Sequence, residues 1–175
     1  MLTPAQRSGA YFESGLYCAE SVLQAIADEC GILSAQIPRI ATGFCGGMAL
    51  TGGLCGALTG GIMALGLLYG RNSGTESRDA VYDRTRRLIE AFEHRFGSTR
   101  CTGLLGCDLS TPEGLATFER KGLEQSLCLK LTTETAGLVD RIIRCDNAAR
   151  GTSHIDDGRS ILPGGGPVDI DDLAV

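Results

Sequence analysis

The chain has 175 residues, a formal charge of −5 and a pI near 5.0. That length fits one domain with a real core, and the acidic balance argues against a general nucleic-acid binder, which is usually basic. Tryptophan is absent and aromatics make up 5% of residues, so platforms for stacking bases are not expected either. Eight cysteines are many for such a chain yet too few for a small disulfide scaffold.

The start, Met1-Leu2-Thr3-Pro4-Ala5-Gln6, has no basic stretch followed by an apolar run, so no signal peptide is expected and the reducing cytoplasm is the expected compartment. There, several cysteines point to metal binding, redox chemistry or small buried residues before structural disulfides.

Thr3 and Pro4 are a good N-cap and first residue for helix 1, which is expected to bend near Gly9 or Gly15 and to run on to Gly31. Cys18 shares a stripe with Val22 and Ile26 and so should face the core. Cys30 is twelve residues further along, roughly 18 Å along a helix axis. Those two thiols cannot share a small site. A short helix is expected over 34–42.

No residue between Arg39 and Arg71 is charged. Gly46-Gly47 and Gly52-Gly53 should interrupt a helix there, leaving a span from Cys55 to Tyr69 of about 22 Å, short of the roughly 30 Å hydrocarbon core. A buried central helix is expected, not a membrane span. A further helix is predicted over 76–96, capped by Thr75, with Val81, Leu88, Ile89, Phe92 and Phe96 inward and Gly97 as its stop. On it, Asp83, Glu90 and Glu93 beside Arg84, Arg86 and Arg87 suggest a solvated face, and His94 an ordinary surface residue. Ser110-Thr111-Pro112-Glu113 signals another helix start, and the last helix should begin just before Cys128 and pass Cys145. Residues 151–175, with Pro163 to Pro167 and the acidic Asp169–Asp172, are expected to be a mobile or partner-draped tail, with His154 in it. No run alternates as a strand does, so the expected fold is all-α: five to six helices over 1–150 around a glycine-rich buried helix.

Four cysteines, Cys18, Cys55, Cys101 and Cys128, stand at helix starts or beside glycine turns. Cys55 is in the densest glycine setting, Gly52-Gly53-Leu54-Cys55-Gly56-Ala57-Leu58-Thr59-Gly60-Gly61. A helix N-terminus there should favour its thiolate, the form that binds metal and attacks disulfides. There is no CxxC pair, no CxxCH and no phosphate-binding GxxxxGK[ST].

This order of elements resembles the redox-active family named for its own motif, C_GCAxxG_C_C. Cys18 matches the first cysteine, Cys55-Gly56-Ala57-Leu58-Thr59-Gly60 the middle motif, Cys101 after Phe96-Gly97-Ser98-Thr99-Arg100 the third element, and Cys128 the fourth. Leu54 stands where the family's name has Gly. Cys45 and Cys107 are extra. The resemblance implies a helical fold with redox or iron–sulfur chemistry.

The leading expectation is therefore a [2Fe–2S] or [4Fe–4S] cluster on Cys18, Cys55, Cys101 and Cys128, with Cys45 and Cys107 as alternative ligands. Gly46, Gly47, Gly53, Gly56 and Gly60 would bring backbone close to it and leave amides for its sulfur. Two alternatives stand beside it: a metal-free thiol–disulfide oxidoreductase with Cys55 as the attacking thiolate and Cys45, Cys18 or Cys101 resolving it, and a zinc-stabilised helical interaction protein. Cys30 and Cys145 fit as small hydrophobes on apolar helix faces. A redox partner of unspecified kind is implied, and the long uncharged segment points to a homodimer.

Overall fold

The structure, a computed structural model, describes the backbone of residues 1–151 and the side chains of residues 1–146. Beyond Gly151, the expected tail of 151–175, with His154, lies outside the described residues. Among them are eight α-helices: α1 (Pro4–Glu13), α2 (Cys18–Glu29), α3 (Cys45–Met48), α4 (Gly56–Tyr69), α5 (Asp79–Phe96), α6 (Cys101–Leu105), α7 (Pro112–Arg120) and α8 (Leu129–Gly151). A 3-10 helix at Arg39–Phe44 precedes α3, and a π-helical turn at Glu124–Cys128 leads into α8. The count exceeds the expected five to six because short turns beside the cysteines are helical in their own right. No helix among the described residues is long and apolar enough to cross a membrane.

Local chemistry accounts for where the helices begin and end. The Thr3 hydroxyl accepts the Gln6 N–H at 3.2 Å while Gln6 Oε1 accepts the Thr3 N–H at 3.0 Å, closing the first turn of α1. The single bent helix expected over 3–31 is two helices. Gly15 turns the chain with φ +104°, and Glu20 Oε2 accepts the Tyr17 N–H at 2.9 Å to start α2 afresh. The helix expected at 34–42 is displaced to the 3-10 segment behind Pro38, which has no N–H to give. α5 starts at Asp79 instead of 76, because the Glu76 carboxylate bends back to accept the Asn72 N–H at 2.9 Å.

α4 lies against α2, α5 and α8. Its small residues set that packing: a Cβ on Gly60 would stand 2.5 Å from the Ala19 carbonyl oxygen, and one on Gly61 3.0 Å from Val139 Cγ2. Leu23, Ile26, Leu58, Leu65, Leu88, Phe92, Leu138 and Ile142 are fully buried in the main core. A smaller core, Cys101, Leu105 and Leu109, closes the end formed by α6 and α7.

One face of α5 differs from the expected solvated surface. Arg84 is 8% exposed and its Nε pairs with Asp146 Oδ2 at 2.6 Å; Arg87 Nη1 reaches Asp146 Oδ1 at 3.2 Å. The partner sits on α8, 62 positions away in sequence from Arg84, so local charge pattern carried no sign of it. The Arg84 guanidinium also stacks over the Tyr69 ring at 4.0 Å.

Candidate functional site

Between Cys45 and Cys55 the chain makes an unusual turn. Gly46, Gly47, Met48, Ala49 and Leu50 all have positive φ, at 63°, 70°, 65°, 53° and 67°. Three of them carry side chains, and such residues cost about 1–3 kcal/mol each in this region. Polar contacts hold the turn: the Thr51 hydroxyl donates to the Met48 carbonyl at 2.8 Å, the Gly53 N–H to Gly47 at 2.9 Å, and the Thr102 hydroxyl to Gly52 at 2.9 Å. Leu54 then pairs with Arg100 in an isolated antiparallel bridge. It is not among the residues of positive φ and is 40% exposed, so leucine stands there without left-handed strain.

The result is a cavity of about 490 Å³ whose lining includes Cys18, Cys45, Cys55, Cys101 and Cys128. All eight cysteines are free thiols. Cys45, Cys55 and Cys101 are buried, at 8%, 4% and 7% exposure, while Cys18 and Cys128 are half-buried. Cys107 does not line the cavity but packs beside Cys101 and Cys128 in the smaller core. Cys30, at the C-terminal end of α2, and Cys145 on α8 stand apart from this cavity. His94 is exposed. Phe12, Leu104, Leu105, Leu109 and Phe118 supply apolar lining, a surface spread over several elements and without a local sequence signal.

Two of the glycines stand against cysteines. A Cβ on Gly56 would fall well inside contact distance of the Cys18 sulfur and 3.2 Å from Cys45 Cα; one on Gly47 would strike Cys101 and lie 3.2 Å from its sulfur. Gly46 lines the cavity. Gly53 serves the loop pairing, and Gly60 packs α4 on α2, away from the thiols.

The electrostatics reverse one expectation. The Ala57 and Leu58 amides at the start of α4 do favour the Cys55 thiolate, but burial outweighs them and pushes this thiol up to about 11. Burial likewise raises Cys101 to about 11, with Cys107 adding to it, and Cys128 to about 12, with the charges of Cys55 and Cys101 next in weight. Cys45 is pushed well above the usual thiol range, first by its hydrogen-bonding neighbour Cys18 and then by burial, against the Ala19 and Glu20 amides of α2. Without a bound cation these sulfurs are thiols at neutral pH, not thiolates.

Glu20 organises this corner. It is 8% exposed, and besides the Tyr17 amide it accepts the Thr42 hydroxyl at 2.6 Å, tying α2 to the 3-10 segment that leads to Cys45. Its signal was present as an acidic residue three positions after Tyr17, the spacing of a helix cap.

The donor set is all sulfur, which suits iron–sulfur clusters and zinc alike. Among the described residues no three His, Cys, Asp or Glu side chains converge tightly enough to hold a single metal ion. The thiols are instead spread around the cavity wall.

Residues 16–142 match the model of the family described as "Putative redox-active protein (C_GCAxxG_C_C)". No curated protein and no solved structure is significantly similar to the chain.

Proposed function

This chain belongs to the C_GCAxxG_C_C redox-active family, and from that premise we propose that its cysteine-lined cavity holds an iron–sulfur cluster used in electron transfer. The observation that carries the reading is the gathering of five thiols from five separate segments into the lining of one cavity. Cys18, Cys55, Cys101 and Cys128 are the ligands, with Cys45 and Cys107 next to them.

When bound, such a cluster supplies one-electron transfer. The chain's part is to hold, shield and tune. Four thiols give up their protons on binding, so loading releases protons and is favoured as pH rises. The Ala57 and Leu58 amides, already directed at Cys55 sulfur, donate hydrogen bonds to a ligand sulfur. They stabilise the more negative reduced state and so raise the potential. Phe12, Leu104, Leu105 and Phe118 give the cavity an apolar lining that limits water around the bound group.

The test compares Cys55→Ser with Cys30→Ser, each purified without oxygen. Cys55→Ser is expected to lose iron and acid-labile sulfide, and Cys30→Ser to keep both. Full iron in Cys55→Ser would sink the assignment.

A further inference from the structure

Cys18 and Cys45 have a relationship that the cluster does not use. Both line the cavity. Gly56 brings them together: the point where its Cβ would stand is in contact with the Cys18 sulfur and 3.2 Å from Cys45 Cα. The absence of that one methyl group lets the Cys18 sulfur into the space beside the Cys45 backbone, where the two thiols are hydrogen-bonding neighbours. Of the two, Cys18 is half-buried, whereas Cys45 is 8% exposed. An accessible thiol backed by a buried one is the arrangement of an attacking cysteine and its resolving partner.

We infer that, in the cluster-free chain, Cys18 and Cys45 form a dithiol that reduces small uncharged disulfides. This activity rests on the redox reading above only in that it shares Cys18 with the cluster. In the first step the Cys18 thiolate attacks one sulfur of the substrate R–S–S–R. The substrate S–S bond breaks, a mixed disulfide forms, and the leaving R–S⁻ takes the proton that Cys18 gave up. In the second, Cys45 loses its proton and attacks the Cys18 sulfur, releasing the other half as R–SH. Two protein thiols are oxidised to one disulfide, and one substrate disulfide is reduced to two thiols.

The substrate class follows from the lining. The charged side chains on the cavity wall are Glu119 and Glu124, and among the described residues no Lys, Arg or His lines it. Most of the remainder is apolar. A neutral disulfide enters such a site more readily than an anionic one.

The experiment uses the full-length chain, reduced and stripped of metal, with bis(2-hydroxyethyl) disulfide as probe, followed by digestion and mass mapping of every cysteine. The expected product is a Cys18–Cys45 bond. Cys45→Ser should stall with mercaptoethanol attached to Cys18, and Cys18→Ser should slow thiol release by more than about tenfold. A first bond between another pair, such as Cys55 and Cys101, overturns the proposal, as does an unmodified Cys18 in Cys45→Ser. The dianionic dithiodipropionate should react more slowly; an equal or faster rate overturns the substrate class. Cys55→Ser should form the same Cys18–Cys45 bond. Its iron content reports on the cluster and its disulfide on this pair, so either reading can fail alone.

Discussion

Cys55 and Cys101 are tied together through their backbones: the Cys55 N–H donates to the Thr99 carbonyl and the Cys101 N–H to the Gly53 carbonyl, both at 2.8 Å. With the Leu54–Arg100 bridge between them, these bonds set two thiols side by side from loops 46 positions apart. Gly47 lies under this joint. Gly47→Ala places a methyl group against Cys101 and imposes a side chain at φ +70°. It should cost about 1–3 kcal/mol of stability and lower iron content, read by urea unfolding and metal analysis on the same preparation.

Ala49 gives the opposite sign. It is held at φ 53° and ψ 47°, a conformation that glycine adopts freely. Ala49→Gly relieves that strain but gains flexibility in the unfolded chain. The net expectation is a gain of about 0.5–1 kcal/mol, seen as a higher urea midpoint with an unchanged slope. A loss of stability would mean that the left-handed turn is not formed.

Much of this molecule is legible in its sequence. Thr3-Pro4, Thr111-Pro112 and Gly97 mark helix ends through local chemistry, and the apolar spacing of Leu88 and Phe92 marks a buried face. What stays hidden is set by partners distant in the chain. Arg84 looks solvated until Asp146 is placed against it. Cys55 looks activated by the start of α4 until its burial is known, since the helix amides act locally but desolvation depends on the whole fold. The run of positive φ through Met48, Ala49 and Leu50 has no sequence sign beyond the flanking glycines, because none of these residues favours that conformation alone.

The raised thiols make cluster-free stability pH-dependent. Cys55, Cys101 and Cys128 titrate near 11, 11 and 12 when folded, against an ordinary value of 9.0. Below that ordinary value both states hold their protons and the three thiols contribute no slope. Above it the unfolded chain loses protons first, so stability falls as pH rises towards 11–12. Urea unfolding at about pH 7 and about pH 10 should show a lower midpoint at the higher value. Over the same range, alkylation of these three thiols should accelerate.

Asp146 pairs with two arginines in a buried setting, with side-chain exposure of 9% for the carboxylate and 10% and 14% for Arg84 and Arg87. Asp146→Ala leaves both cations without it and should cost about 3–5 kcal/mol. Neither arginine lines the thiol cavity. The folded fraction should therefore keep its iron, which separates this purely structural cost from the effect of Gly47→Ala.

The most direct test of the central claim is iron, zinc and acid-labile sulfide on the wild-type chain purified without oxygen, with a visible spectrum of the same sample. The account predicts iron and sulfide in near-equal amounts, together with sulfur-to-iron charge-transfer absorption that is lost in Cys55→Ser. Zinc alone, or a metal-free and colourless protein even after reconstitution with iron and sulfide, would contradict it.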